Sequence, residues 1–310
     1  MLNIIFYPKS GEEAEMFIYI NNGKYSMITA IIPAYNEEFS IKETIEKLNK
    51  MTAGLKKEII VVNDGSSDGT GKILGNIKEI RVIGHEKNKG YGASIKDGIL
   101  QAKGEWILII DADGTYPTES IPTLLRYIKD YDMVVGARIG RNVNIQFVRK
   151  PAKWLISKFA NYICQEKIPD LNSGLRIFKK EIALRFFELF PDGFSFTTTI
   201  TMACLTNSYK VRFVAIDYYK RKKESKSSIK PFKDFLGFMA LILRMSIYFR
   251  PLRIFVPVGG VLFIAGIIKG IADLLRLGYM GSGNVMVILA GLQILFLGLL
   301  ADLIIKRTKL

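Results

Sequence analysis

The sequence is poor in the residues that build histidine-based metal sites and disulfide frameworks. Its 310 residues include one histidine, His85, and two cysteines, Cys164 and Cys204. A single histidine excludes a zinc site made of several histidines and any histidine-rich cluster. The two cysteines match no metal or redox spacing, so we expect reduced, structural thiols.

The first 26 residues lack the marks of a secretory signal. They have no basic start, and their apolar patches are interrupted by Pro8, Lys9 and three glutamates. We therefore treat residues 1–26 as an N-terminal extension of unknown role, either an added hairpin or a loosely held arm. Beyond this extension the chain has no internal repeat, low-complexity tract or long linker.

Two long apolar runs stand near the carboxyl terminus. Ile254–Ala272 contains Lys269 as its single charge, and Val285–Ile305 contains only Asp302. A helix rises about 1.5 Å per residue, so each run is long enough to cross a hydrocarbon layer of about 30 Å. The sequence predicts a transmembrane hairpin over residues 251–310, with spans at about 254–272 and 285–305.

The net charge of +15 is unevenly distributed. Residues 204–250 hold eleven Lys/Arg against three Asp/Glu, so +8 of this charge lies directly before the first apolar run. A basic collar beside a span is typical of contact with anionic headgroups. We therefore expect membrane lipids as partners and no nucleic acid.

The placement of basic residues also predicts an orientation. Three arginines precede the first span and three basic residues follow the second, whereas residues 273–284 between the spans hold Arg276 as their one cation. The positive-inside bias then places both termini in the cytoplasm. The prediction is a multi-pass protein of the cell membrane with a cytoplasmic catalytic domain.

Residues 231–250 carry apolar side chains near helical spacing, among them Phe235 and Met239, with Lys233 and Arg244 able to reach headgroups. This pattern favours an amphipathic helix that lies in the membrane surface. A third transmembrane helix is the alternative, because the middle of the segment is strongly apolar.

Residues 27–230 read as an α/β domain. Apolar runs alternate with turn residues and helical patterns, which predicts a mainly parallel sheet with helices on both faces. Ser40 and Glu43 form a predicted capping box, and Thr118 follows Pro117 at the head of a later helix. The predicted strands are Ile28–Ile32, Glu58–Val62, Ile80–Ile83, Trp106–Ile110 and Met133–Val135.

Asp111 and Asp113 directly follow the apolar run that ends at Ile110. Alternation along a strand returns positions two apart to the same side, so the two carboxylates can share Mg²⁺ or Mn²⁺. A metal held there would bridge phosphates. The alternative is a turn in which both aspartates cap the next helix.

Two other turns allow more than one interpretation. Asp64 is a candidate acceptor for donors on a ribose or base, whereas Asp68 is better suited to capping a helix. The glycines of residues 88–93 permit either a close approach to a ligand or a tight start of a helix against the sheet. His85 is interpreted as a packed or surface residue and not as a base.

Several stretches, in this order along the chain, resemble family 2 glycosyltransferases of the GT-A fold, a Rossmann-like arrangement. They are residues 31–38, 61–70, 88–93 and 111–113. Residues 136–138, 170–178 and 219–226 narrow the resemblance to the dolichol-phosphate mannose synthase and polyprenyl-phosphate glucosyltransferase branch. The resemblance extends over about residues 27–250, and the two apolar runs suit membrane-anchored members.

The resemblance implies roles for individual residues. The nucleotide-sugar site would contain Pro33, Tyr35, Glu37, Asp64 and Asp111, and the metal would be held by Asp111 and Asp113. Besides Asp113, the catalytic residues would be those that contact the phosphate groups of donor and acceptor: Arg138, Arg149, Ser173, Arg176 and Arg221. Ordinary ion pairs are the alternative for Arg138 and Arg176, and Lys153 is an alternative to Arg149. Gly114-Thr115 stands where mannose synthases commonly have Leu-Gln, so the third metal ligand is not assigned.

The acceptor can be argued from what the chain does not contain. Residues 194–201, where relatives often place acidic side chains, contain no carboxylate. A sugar hydroxyl needs a base, whereas a phosphate monoester is already largely anionic at neutral pH. A Gln-x-x-Arg-Trp motif, which processive polysaccharide synthases carry, is also absent. These observations favour a lipid phosphate as acceptor.

The sequence therefore predicts an inverting hexosyltransferase that uses GDP-mannose or UDP-glucose and a polyprenyl phosphate of the dolichyl type. The alternatives are transfer to another lipid-linked acceptor and a noncatalytic, nucleotide-binding membrane partner. The sequence leaves a homo-oligomer open.

Overall fold

The computed structural model describes residues 27–141, 150–193, 195–220, 239–240 and 243–308. The predicted N-terminal extension lies outside the described residues. So does most of the predicted interfacial segment, of which residues 239–240 and 243–249 are described and helical.

One seven-stranded sheet organises the described part of residues 27–220. Its strand order is β3-β2-β1-β4-β6-β5-β7, and β6 runs antiparallel to both of its neighbours while the other pairs are parallel. The prediction of a mainly parallel α/β sheet is confirmed. The strands are β1 (Ile28–Ala34), β2 (Lys57–Asn63), β3 (Arg81–Gly84), β4 (Trp106–Ile109), β5 (Met133–Ala137), β6 (Arg176–Lys179) and β7 (Val211–Ala215).

Helices cover both faces of this sheet, because alternate residues of the central strands are apolar on each side. Ile28, Ala30 and Ile32 of β1 belong to a core cluster with the first helix, whereas Ile31 packs against Gly98 of the third helix on the opposite face. The described helices are α1 (Ile41–Met51), α2 (Thr70–Gly75), α3 (Tyr91–Gln101), α4 (Ile121–Leu125), α5 (Lys150–Cys164), α6 (Lys180–Arg185), α7 (Phe196–Thr206), α8 (Leu252–Leu277) and α9 (Ser282–Thr308).

The capping box predicted at Ser40 is wrong in its bonding. Helix α1 begins at Ile41 as expected, but the Ser40 side chain makes no capping hydrogen bond, and its hydroxyl donates to Glu37 at 3.1 Å. The Glu37 carboxylate therefore takes the place of a backbone group of the helix as the partner of this hydroxyl. The later helical start is confirmed, because a short 3₁₀ turn begins at Thr118.

The described residues fall into two compact units. The first contains the sheet, and the second contains residues 150–168 together with α8 and α9. Within the second unit, Arg253 donates to the carbonyls of Tyr162 and Ile163 at 2.6 and 2.7 Å, which joins the end of α5 to the start of α8. The sequence had placed α5 in the catalytic domain, and the domain bounds stay predictions.

Helices α8 and α9 form a hairpin, and each is long and apolar enough to cross a membrane. They are longer than the spans expected from the sequence. Gly291 of α9 lies so close to the backbone of Phe263 on α8 that a Cβ would overlap it. Most of their large apolar side chains are exposed, as suits helices whose outer surface faces lipid.

Candidate active site

The loops that follow β1 and β2 are joined by hydrogen bonds into one rim at the carboxyl edge of the sheet. The backbone N–H of Asn36 donates to Ser66 Oγ at 3.0 Å, and the N–H of Ser67 returns a bond of 2.8 Å to Asn36 Oδ1. Asn36 adopts a left-handed φ of 57°, which asparagine tolerates. This geometry holds the predicted nucleotide-site residue Tyr35 at the rim, where it is exposed.

The other predicted residues of the first loop lie deeper. Pro33 is buried in β1 opposite Val62 of β2. Glu37 is half-buried, accepts from Ser40, and its backbone N–H donates to Thr70 Oγ1 at 2.8 Å. The structure therefore brings Pro33, Tyr35 and Glu37 to one strand end, with only Tyr35 largely exposed.

Asp64 follows β2 and has three hydrogen-bond partners. Its Oδ1 accepts from the N–H of Lys89 at 2.8 Å and its Oδ2 from the N–H of Gly90 at 2.9 Å. The third partner is His85, whose Nδ1 lies 2.7 Å from Oδ1. The carboxylate thus joins the loop after β2 to the loop after β3.

His85 is packed, as predicted, but its partners were missed. Its side chain is 2% exposed, and its Nε2 lies 2.9 Å from Asp97 Oδ2 on α3. Asp97 lies twelve residues beyond His85, in a helix whose position the sequence does not fix. The only signal available in the sequence was an isolated histidine next to a glycine-rich turn.

The two interpretations of residues 88–93 are resolved in favour of a tight helix start. The N–H groups of Gly92 and Ala93, at the start of α3, donate to the carbonyls of Gly193 and Asp192 at 3.1 and 3.0 Å. A Cβ at Gly92 would overlap the carbonyl oxygen of Pro191. These helix-terminal donors are satisfied by the chain itself, so they do not form a phosphate cradle.

Asp111 lies just beyond β4 and is closely surrounded. Tyr91 donates its hydroxyl to Asp111 Oδ1 at 2.9 Å. Gly174 passes so close that a Cβ there would overlap both carboxylate oxygens. Only a glycine at position 174 lets the Asp111 carboxylate occupy this place.

Asp113 is buried in the turn after Asp111. Its Oδ1 accepts from the backbone N–H and the hydroxyl of Thr115, at 3.0 and 2.6 Å. The two aspartates supply hard oxygen donors on one short loop. Mg²⁺ and Mn²⁺ accept such donors, and Mg²⁺ usually completes its coordination with water and substrate phosphates. No group of three acidic, histidine or cysteine ligands is found in the described residues, so the pair fits a cation shared with a substrate better than an all-protein cage.

Arg138 follows β5 and forms a two-pronged ion pair with Asp170. Its Nε lies 2.7 Å from Oδ2 and its Nη2 lies 2.9 Å from Oδ1, so Nη1 is not used in this pair. The guanidinium carbon also stands 5.1 Å from the ring centroid of Tyr218. Burial disfavours the charged form, but the bonds to Asp170 outweigh it and raise the pKa of Arg138.

A row of contacts connects Asp111 to Arg138. The N–H of Gly174 donates to the Tyr116 hydroxyl at 2.6 Å, and Tyr116 packs edge-on against Tyr218, whose ring lies against Arg138. The predicted metal-binding pair and one predicted phosphate-binding arginine are therefore connected through Gly174, Tyr116 and Tyr218. This connection could not be read from positions 27 residues apart in the sequence.

Ser173 and Arg176 lie behind this row and not at its surface, because both are fully buried. The Ser173 hydroxyl donates to the Gly136 carbonyl at 2.5 Å. Arg176 donates to the carbonyls of Ser173 and Thr197 and to the hydroxyl of Thr201. In this arrangement Arg176 supports the loop that carries Gly174, and among the described residues it forms no ion pair.

The neighbouring phenols are neutral donors. Burial, followed by the charge of Asp111, raises the pKa of Tyr91 and of Tyr116, and burial raises the pKa of Tyr218. None of the three is suited to act as an anionic base at neutral pH. Helix α7 has no acidic residue in its first turn, and its Thr198 donates to Asn172 at 2.5 Å.

Two predicted site residues, Arg149 and Arg221, lie outside the described residues. The side chain of Lys153, the alternative to Arg149, is likewise not described. Their predicted contacts with phosphate groups stay predictions.

Comparison with known proteins agrees with this fold. Residues 29–187 match the glycosyl transferase family 2 model, and residues 250–306 match the GtrB C-terminal hairpin. The fold is similar to that of glucosyl-3-phosphoglycerate synthase from Mycobacterium tuberculosis, whose crystal structure contains Mn²⁺, UDP and glucosyl-3-phosphoglycerate. The two structures superpose with a TM-score of 0.58 at 18% sequence identity, and the superposition covers 77% of this chain and 86% of the synthase chain.

Curated relatives point to one class of enzyme. The undecaprenyl-phosphate 4-deoxy-4-formamido-L-arabinose transferase of Proteus mirabilis is 28% identical over 255 residues, which is 80% of this chain and 76% of that protein. The dolichol-phosphate mannosyltransferase of Pyrococcus furiosus is 34% identical over 180 residues, 54% of this chain and 50% of that protein. The dolichyl-phosphate beta-glucosyltransferase of Dictyostelium discoideum is 26% identical over 60% of this chain and 64% of that protein. The matches thus span half to three quarters of the relatives' lengths.

The family 2 match shows a glycosyltransferase, and the superposition shows that its catalytic fold is of the GT-A type. The chain belongs to glycosyl transferase family 2, as the resemblance of its motifs predicted. The prediction of an enzyme is confirmed, and with it the noncatalytic alternative is set aside.

Proposed function

We propose that this enzyme transfers one hexose from a nucleotide-diphosphate sugar, GDP-mannose or UDP-glucose, to a polyprenyl phosphate at the cytoplasmic face of a membrane. The observation that carries this proposal is the row of contacts from Asp111 through Gly174, Tyr116 and Tyr218 to Arg138, which connects an acidic pair with a fixed guanidinium. The relatives act on dolichol-phosphate, dolichyl-phosphate and undecaprenyl-phosphate, as their names state, and this supports a polyprenyl phosphate acceptor here.

The donor lies along the rim formed by the first three loops. Tyr35 offers an exposed ring for a base, and Asp64 offers a carboxylate for ribose or base donors. Pro33 and Glu37 set the shape of the same strand end. The diphosphate then extends toward Asp111 and Asp113.

Asp111 and Asp113 are the residues that would hold Mg²⁺ or Mn²⁺. Such a cation supplies positive charge to the diphosphate and so makes it a better leaving group. The structural neighbour binds Mn²⁺ together with UDP, which supports divalent metal use. Tyr91 orients Asp111 by its hydrogen bond, and Thr115 orients Asp113.

The acceptor side suits an anion that needs no base. An oxygen of the phosphate monoester forms a bond to the anomeric carbon as the bond from that carbon to the diphosphate breaks, and the nucleoside diphosphate leaves. No proton has to move, which agrees with the neutral phenols and the acid-free first turn of α7. Arg138, steadied by Asp170, offsets the repulsion between the two anions and fixes the line of attack. Attack from the opposite face gives a β-linked product.

The remaining predicted residues either support the site from behind or lie outside the described residues. Arg149 and Arg221 would contact donor and acceptor phosphates, and Ser173 and Arg176 would keep the Gly174 loop in place. The hairpin anchors the enzyme in the membrane, with residues 27–230 as the catalytic domain and 231–250 at the lipid surface. Both termini are cytoplasmic.

The experiment uses the purified full chain with Mg²⁺ or Mn²⁺ and a panel of nucleotide sugars. Each donor is offered polyprenyl phosphate, polyprenyl diphosphate or a neutral glycolipid. Sugar transfer to the monophosphate alone is the expected result. Preference for the diphosphate or the glycolipid would reject the acceptor and favour a different lipid-linked substrate.

A further inference from the structure

A buried imidazole lies between two carboxylates at the edge of the donor rim. His85 faces Asp64 through Nδ1 at 2.7 Å and Asp97 through Nε2 at 2.9 Å, and its side chain is 2% exposed. A cation also faces this cluster, because Lys89 Nζ lies 3.7 Å from Asp97 Oδ2. Neither the catalytic chemistry nor the predicted site uses His85.

The geometry demands two donors from this ring. An ionised carboxylate accepts hydrogen bonds only, whereas a neutral imidazole has one N–H and one acceptor nitrogen. With a carboxylate oxygen on each side, both ring nitrogens must carry hydrogen. The ring is then an imidazolium that is neutralised by its two neighbours.

The ring holds the carboxylate that the proposed donor site uses. Asp64 Oδ1 is shared between His85 and the N–H of Lys89, and Oδ2 takes the N–H of Gly90. The backbone of His85 itself is fixed, because its N–H donates to the Asn63 carbonyl at 2.9 Å. Loss of one ring proton would place a lone pair against one of the two carboxylates.

We propose that His85 is a positioning residue for the donor: as a doubly protonated ring tied to Asp97, it fixes the Asp64 carboxylate for the nucleotide and makes donor binding depend on that proton. This inference rests on the donor role of Asp64 in the proposed function. When the ring's hydrogen bonds to the two carboxylates are lost, donor KM increases while kcat changes little, because the reacting atoms lie at Asp111 and Arg138.

Nuclear magnetic resonance tests the ring directly. The chain has one histidine, so a sample labelled with ¹⁵N-histidine and free of added histidines gives an unambiguous signal. Two protonated ring nitrogens at neutral pH are expected, in the presence or absence of nucleotide. A neutral ring with one bare nitrogen would overturn the inference, and this readout requires no catalytic activity.

Kinetics and binding test the consequence. His85→Gln keeps at most one of the two side-chain donors and removes the charge, so donor KM should rise at least about tenfold, with the KM for polyprenyl phosphate unchanged. Calorimetry with Mg²⁺ present first shows whether the wild type binds UDP or GDP. His85→Gln should bind that same nucleotide more weakly. An unchanged donor KM in a folded, active variant would refute the role.

Asp97→Asn is a second variant that tests the inference if His85→Gln does not fold. It removes one of the two carboxylates that face the ring, so the ring is held less firmly against Asp64 and donor KM should rise, with the KM for polyprenyl phosphate unchanged. Glu86→Gln is the matched control, because it removes the same charge at the exposed neighbouring position and should leave donor KM unchanged. Equal donor KM values for Asp97→Asn and Glu86→Gln would contradict the inference.

The outcomes separate this inference from the proposed function. A wild-type enzyme that transfers no sugar from any donor contradicts the proposed function, whatever the state of the ring. A wild-type enzyme that transfers hexose, with a neutral ring or an unchanged His85→Gln variant, contradicts only the role of His85.

Discussion

Asp111 and Asp113 lie two residues apart, yet the protein surrounds them differently. Asp111 receives a phenol and is packed against Gly174, whereas Asp113 is buried in its own turn with Thr115. The sequence could predict the pair, because an apolar run followed by two acidic residues at period two is a local pattern. It could not predict Gly174 against Asp111, since that contact joins residues 63 positions apart.

Asp113→Asn removes the charge that would hold the cation and keeps the size of the side chain. We expect transfer to fall by at least about two orders of magnitude, with thermal stability close to that of the wild type. Turnover is measured at limiting Mg²⁺ or Mn²⁺ and compared with a melting curve. Near wild-type turnover under limiting metal would show that Asp113 does not act through a cation.

Gly174→Ala tests the close approach to Asp111. The added Cβ overlaps the carboxylate oxygens, so Asp111 or the loop must shift, and turnover should fall at least about tenfold. Gly75→Ala is the control, because nothing lies within 4 Å of a Cβ there. If both variants turn over at the same rate, the Asp111 position is not critical to the reaction.

Among the secondary-structure elements, the sequence predicted the strands that carry a simple local signal. These strands have four or more consecutive apolar residues or are followed by clear turn residues. Strands β6 and β7 were missed. β6 begins with the charged Arg176, and β7 contains Arg212 and is only half-buried, so neither carries a simple apolar pattern. Their places are set by pairing with β4 and β5, which is a tertiary property.

Arg176 holds two elements together, the loop before β6 and helix α7. Arg176→Met leaves the buried carbonyls of Ser173 and Thr197 without this donor, so we expect a loss of about 3 kcal/mol or more in the free energy of unfolding. Arg176→Lys should recover little, because an ammonium group lacks the forked geometry. Thermal unfolding of the three proteins checks this, and a melting temperature equal to that of the wild type would rule out a supporting role.

The orientation of the hairpin formed by α8 and α9 can be tested by cysteine labelling in intact cells. Burial raises the pKa of Cys164 to about 12 and also raises the pKa of Cys204, so the native thiols should stay unlabelled and serve as the background. Gly281→Cys, between the helices, should react with an impermeant reagent from outside, and Thr308→Cys should react only after permeabilisation. The reverse pattern would invert the proposed topology.

At the scale of the whole molecule, the described residues form two compact units, and two family models match the chain: a catalytic fold over residues 29–187 and a hairpin over residues 250–306. The sequence revealed both, because parallel α/β alternation and long apolar runs are strong local signals. It did not reveal that α5 belongs with the hairpin helices, since this depends on Arg253 reaching the carbonyls at the end of α5. The enzyme class follows from the family 2 match, and the proposed lipid acceptor is supported by the names of the relatives.

The most direct test of the central claim is the identity of both products of one turnover. Purified enzyme is supplied with its preferred nucleotide sugar and polyprenyl phosphate, and the lipid and nucleotide products are analysed by mass spectrometry. The account predicts a lipid that carries one phosphate and one hexose, together with free nucleoside diphosphate. A lipid diphosphate sugar with release of nucleoside monophosphate, or an unmodified lipid with free hexose, would contradict it.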